Sequence, residues 1–112
     1  MIKKITLSKD RSFNLIQQDT PFEKINFISA IQLDGIVLNN PIIMVEVSEG
    51  VNVFSSPMNF NPLTNDFSCV DVLATIRKMN VLPDFNGNNL NISINDNYYQ
   101  GQFTIELMLD IE

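Results

Sequence analysis

The sequence has no histidine, no tryptophan and a single cysteine, Cys69. Without histidine, the side chain that most often moves protons near neutral pH and most often ligates metals is missing. Ser-His-Asp and Cys-His nucleophilic arrangements, and most zinc sites, are excluded with it. One cysteine rules out an intramolecular disulfide framework. Charge is scarce, at 18% of residues, and positive charge scarcer: 7 Lys and Arg against 13 Asp and Glu leave a net charge of −6. Such a surface repels phosphate backbones, so nucleic acid is not an expected partner. Long apolar runs are also lacking. The longest, Pro41 to Val45, is five residues, far short of the roughly 20 that a membrane-spanning helix needs. Lys3 and Lys4 precede no apolar stretch of signal-peptide length. The expectation is a protein of the cytoplasm or of a particle assembled inside the cell, with no membrane partner and no secretion signal.

What is present points to β structure. A hydrophobic fraction of 45% over 112 residues suits one globular core and one domain spanning 1–112. Asparagine supplies roughly one residue in eight, well above ordinary usage. Its short side chain bonds nearby backbone and tolerates positive φ, which favours turns. Turns between β-branched segments are therefore the dominant motif.

Along the chain, Ile2 to Leu7 and Phe13 to Ile16 read as short strands. Lys3, Lys4, Lys9 and Arg11 suit a solvated edge. In Glu23 to Leu33, Ile25, Phe27, Ile31 and Leu33 alternate with Ser29 in the same row, predicting a strand with one buried face. Asp34-Gly35 before Ile36 to Leu38 is a strong hairpin signal, with Ile42 to Val47 continuing the second arm after Asn39-Asn40-Pro41. Ser48-Glu49-Gly50 predicts a second hairpin into Val51 to Phe54. Residues 55–67 show no period and contain Pro57 and Pro62, which predicts a long irregular loop. A helix is expected over 68–79, capped by Ser68 with Asp71 three residues on, presenting Val72, Leu73, Ile76 and Met79 or Asn80 as an apolar stripe. Asp71 and Arg77-Lys78 suit its dipole. Leu90 to Ile94 alternates, and so does Tyr98 to Ile111, with Gly101 as a candidate bulge. About seven or eight short strands and one short helix predict a mainly β fold, an antiparallel β-sandwich or partly open barrel.

Few constellations carry chemistry. Cys69, at the expected helix start, has no histidine to take its proton and reads as a small apolar residue. The carboxylates are scattered, several of them on outward strand positions. Asp84 to Asn95 fails the calcium-loop pattern, since Gly87 is fourth and Asn95 stands where a Glu belongs. Asn91-Ile92-Ser93 fits a glycosylation sequon of a kind that arises by chance in an Asn-rich chain. No catalytic residue, metal ligand or cofactor is expected.

The richest feature is the long loop, which carries Phe54, Met58, Phe60, Leu63 and Phe67 among its polar residues. Such side chains either fold back to plug one end of the sandwich or dock on a partner subunit. The last strand, running to Asp110-Ile111-Glu112, would offer a second docking element if it lay at a sheet edge. These features predict a non-catalytic structural or assembly subunit that acts through other protein subunits. A monomeric small-ligand or glycan module using the loops of Asp84 to Asn97 is the alternative. In style of composition (small, acidic, cysteine-poor, histidine-free) the chain resembles accessory structural proteins of tailed phage particles; the resemblance covers no motif, and style alone assigns no function.

Overall fold

Apolar residues at every second position build this molecule. In the last strand Ile105, Leu107, Leu109 and Ile111 are buried, while Thr104, Glu106, Met108 and Asp110 between them are half-buried. The structure, a computed structural model, describes residues 1–33, 41–59, 70–95 and 101–112. Among these, the elements follow in the order β1 (Ile2–Ser8), β2 (Phe13–Ile16), β3 (Ile25–Gln32), β4 (Ile42–Glu49), β5 (Asn52–Asn59), β6 (Val70–Asp71), α1 (Val72–Asn80), β7 (Asn89–Asn95) and β8 (Thr104–Ile111).

The strands make two antiparallel four-stranded sheets, β1-β8-β3-β6 and β2-β7-β4-β5. Among the described strands only β4 and β5 are consecutive in one sheet; every other step from one to the next changes sheet. This is the strand order of an eight-stranded jelly roll, a β-sandwich of two interleaved Greek keys. The core lies between the sheets, with Phe22, Phe27 and Phe103 the bulkiest fully buried side chains.

Several sequence expectations are corrected by this topology. β8 is an inner strand, paired with β1 on one side and β3 on the other, so its backbone is not free to recruit another chain. β1 is the edge of its sheet, as its lysines suggest. Within β3 the register against β8 shifts between Phe27 and Ser29, so Ile28 is an extra residue. A single insertion moves every following side chain to the other face. Ala30 is consequently buried, and Ile31 and Leu33, expected inside, are 43% and 53% exposed. Asp34-Gly35 and Ile36 to Leu38 lie outside the described residues. β4, expected to continue the same hairpin arm, belongs to the opposite sheet.

The second hairpin forms, with a turn of two residues. Glu49 pairs with Asn52 across Gly50-Val51, and Gly50 takes the positive φ (59°) that a tight hairpin requires. β5 then pairs with β4 along its whole length to Asn59. Residues 55–59 are thus strand, not loop. Pro57 is tolerated because β5 is an edge strand, whose outer backbone needs no partner.

The helix starts later than the sequence suggests. Its cap is Asp71, whose Oδ1 accepts from the Ala74 N–H at 3.0 Å; Ser68, like Cys69, lies outside the described residues. Val72, Leu73 and Ile76 are buried, and Met79 is 57% exposed. α1 packs on β3 and β5 and so closes the side of the sandwich where these two strands of opposite sheets run. On the other side β1 lies against β2 and β7, and Ser8 and Arg11 exchange backbone hydrogen bonds of 3.1 and 3.2 Å.

One charge cluster joins the ends of the first sheet. Lys24 Nζ sits 2.8 Å from Asp110 Oδ2. Hydrogen bonds from Lys24 and then from the Met1 ammonium hold the Asp110 carboxyl below the usual range. A carboxyl whose folded pKa is depressed contributes stability above its unfolded pKa and loses it as pH falls through the folded value. Asp110→Asn should therefore flatten the decline in stability below about pH 4, as read by urea unfolding at a series of acidic pH values.

Candidate functional site

The predicted docking residues separate. Phe60, Leu63 and Phe67 lie outside the described residues. Met58 is 6% exposed and belongs to the core, so it folds back instead of facing a partner. Phe54 is half-buried and opens onto a groove.

Three local features build that groove. The first is the end of α1. Val81 caps the helix in the left-handed region (φ 55°, ψ 47°), its N–H donating to the Arg77 carbonyl. Glycine or asparagine usually fills this place, and a β-branched residue there is strained. The Leu82 N–H donates to the same carbonyl at 2.9 Å. The second feature is a tight turn, Leu82-Pro83-Asp84-Phe85, closed by the Phe85 N–H on the Leu82 carbonyl at 3.2 Å; proline suits its second position. The third is Arg77, whose Nε donates to the Phe85 carbonyl at 2.7 Å and whose guanidinium also bonds the Asn86 side chain. This clamp holds Phe85 edge-on against Phe54, centroids 4.7 Å apart and planes at 72°. Edge-to-face pairs of this kind contribute about 0.5–1.5 kcal/mol beyond area burial.

The result is an open cavity of about 320 Å³ lined by Asn52, Phe54, Leu82, Pro83, Asp84 and Phe85. Asp84 is its one charged lining residue. Val81, 84% exposed, and Met79, 57% exposed, stand at the helix end beside it. Phe85 lies in the Asn-rich stretch Asp84 to Asn97 and is not among the expected docking residues. The available signal was Val81-Leu82-Pro83 followed by Phe85, four large apolar groups in a short connection.

A second, smaller cleft of about 140 Å³ is lined by Gln18, Asp19, Thr20, Pro21, Glu49, Asn86 and Asn88. Part of it is the Asn-rich segment singled out from the sequence. Gly87 anchors that segment. Its carbonyl accepts from the Phe22 N–H at 2.7 Å, and the neighbouring Asn88 N–H donates to the Ser48 carbonyl at 3.0 Å. A Cβ on Gly87 would stand 2.5 Å from Val47 Cγ1 and 2.7 Å from the Ser48 carbonyl oxygen. Among the described residues, no group of three or more His, Cys, Asp or Glu is placed to hold a metal ion, and no helix is long and apolar enough to cross a membrane.

Comparison with known proteins gives no matching family model and no matching curated protein.

Two substitutions test this geometry in opposite directions. Gly87→Ala must push β4 away from the loop and should lower unfolding stability by about 1–3 kcal/mol. Val81→Gly relieves the left-handed strain and should raise it by about 1 kcal/mol. Urea midpoints at constant slope measure both.

Proposed function

We propose that this chain is a non-catalytic structural or assembly subunit, which receives an apolar segment of another protein subunit in the groove between β5 and the end of α1. The observation that carries the reading is the strained, solvent-facing Val81 beside an open apolar groove. Strain and exposed apolar area both weigh against valine at that position in an isolated chain. A partner that covers it offsets both. Aromatic, Leu and Met groups in a partly formed pocket are the usual anchors of protein interfaces. The absence of histidine from the sequence favours a binding role over acid–base chemistry. An accessory structural protein of a phage-like particle, intracellularly assembled, is the setting this proposal assigns.

The second reading, a small-ligand or glycan module, is favoured by the cleft between Asp19, Glu49 and Asn88. Its volume of about 140 Å³ is below the roughly 300–1,000 Å³ of drug-sized sites and suits a single sugar ring at most.

Val81→Asn separates docking from folding, because asparagine accepts the left-handed conformation that valine resists. The paired change Val81→Asn with Leu82→Ser should leave thermal unfolding near the parent value. It should also abolish recovery of any complex of fixed stoichiometry with another protein when the tagged chain is isolated from its native cells. Recovery of the parent chain with no other protein bound would overturn the reading. A thermal shift with neutral monosaccharides, lost in Asn88→Ala, would move the second reading ahead.

A further inference from the structure

The outer edge of β5 is open over the first half of the strand. Ser48 stands opposite Val53, and its carbonyl accepts from the Asn88 N–H at 3.0 Å, on the far side of β4. The N–H and C=O of one strand residue point the same way. Ser48 and Val53 therefore exchange no hydrogen bonds, and the backbone groups of Val53 face away from β4. Ser55 and Pro57 follow at steps of two and share that direction. Pro57 agrees with this, because a residue without an N–H leaves the β4–β5 ladder whole only at such a position. Toward Pro57 the helix shields the strand: Ser56 is fully buried and its hydroxyl donates to Met79 Sδ at 3.1 Å. Val53, 56% exposed, and Ser55, also exposed, stand clear of it. Among the described residues neither has a backbone partner on the outer side of β5. The other sheet edges are guarded or short. β1 carries Lys3 and Lys4, β2 has four residues and β6 has two.

We infer that the segment received in the groove is an extended strand of another protein, which adds to β5 at Val53 and Ser55 and sets a lysine or arginine beside Asp84. This rests on the groove reading and gives its occupant a conformation and a charge. The backbone dictates the conformation. Two N–H and two C=O groups spaced about 6.8 Å apart match a second extended chain. A helix has spent its own backbone groups internally and cannot answer them. The groove runs along the same edge, with Asn52 and Phe54 on one wall and the 82–85 turn on the other. A strand about 4.8 Å from β5 sends alternate side chains between these walls, where Phe54, Leu82 and Phe85 accept apolar groups. Charge dictates the rest. Asp84 is the one charged residue lining the groove, and among the described residues it has no ion-pair partner. The net charge of −6 draws a cationic segment toward it. A second copy of this chain is the poorer occupant, since it brings the same net charge and a β5 edge interrupted at the same proline.

Selection from a random peptide library against the purified chain tests this. Selected peptides should carry apolar residues at every second position together with Lys or Arg. A selected peptide, once bound, should slow hydrogen exchange at the Val53 and Ser55 amides. Ser55→Pro copies the backbone chemistry of Pro57, so it should unfold at a temperature near the parent's and bind that peptide roughly tenfold more weakly. Val53→Pro replaces it should Ser55→Pro fail to fold. Asp84→Asn should flatten the salt dependence of binding. Apolar residues at helical spacing, no selection at all, or unchanged exchange at both amides would each overturn the inference. Binding that survives Ser55→Pro but is lost in Val81→Asn with Leu82→Ser overturns the added strand alone and leaves the groove standing. Binding indifferent to both changes removes the strand and the groove together.

Discussion

The inward row of β8 holds the sandwich together. Ile105, Leu107, Leu109 and Ile111 are buried against the other sheet, each contributing about 1.5–3 kcal/mol of burial. The same strand is hydrogen-bonded on both sides, to β1 and β3. Its register sets theirs, and β3 in turn positions β6 and the start of α1. The helix can close the open side only because Asp71 serves both as the last pairing residue of β6 and as the helix cap. The groove beside Phe54 is a by-product of that closure. A helix that ends against a sheet edge leaves a wedge of space, and the 82–85 turn, held by Arg77, only partly fills it.

The strands were legible in the sequence wherever one face is buried and the alternation is unbroken. β1, β2, β7 and β8 all lie where their apolar residues predict, although β8 begins only at Thr104. The exceptions have separate physical causes. In β3 a run of β-branched and small residues gives no sign of which one is extra, and the bulge at Ile28 reverses the faces of Ile31 and Leu33. In β5 two serines and Pro57 read as loop, because an edge strand facing solvent relaxes the usual composition. The helix start was misplaced because Ser68 and Asp71 are both good caps, and pairing of Val70-Asp71 with β3 decided between them.

The candidate site was less legible than the fold. Of the predicted anchors, Phe54 opens on the groove and Met58 is sealed in the core. Alternation within β5 cannot say which inward side chains lie at the open end of the sandwich. Phe85 went unread because its role depends on Arg77 reaching past the helix end, a contact with no sequence period. The outer row of β7 was legible too, in the asparagines and serine that alternate with its buried residues. The sheet order sets β2, β4 and β5 beside it.

The strand order also constrains how the chain acquires its structure. Among the described residues the β4–β5 hairpin is the one pairing between consecutive strands, and Gly50 makes it a local event. β1 pairs with β8 from the far end of the chain, Ile2 opposite Asp110. Loop-closure entropy must be met before such distant pairings return any energy, and topologies of this kind fold in milliseconds to seconds. Until β8 arrives, β1 and β3 expose unpaired backbone and apolar rows that would otherwise invite aggregation. The paucity of positive charge, the net charge of −6 and the proline in β5 therefore protect the nascent chain during that interval as much as they shape the finished surface.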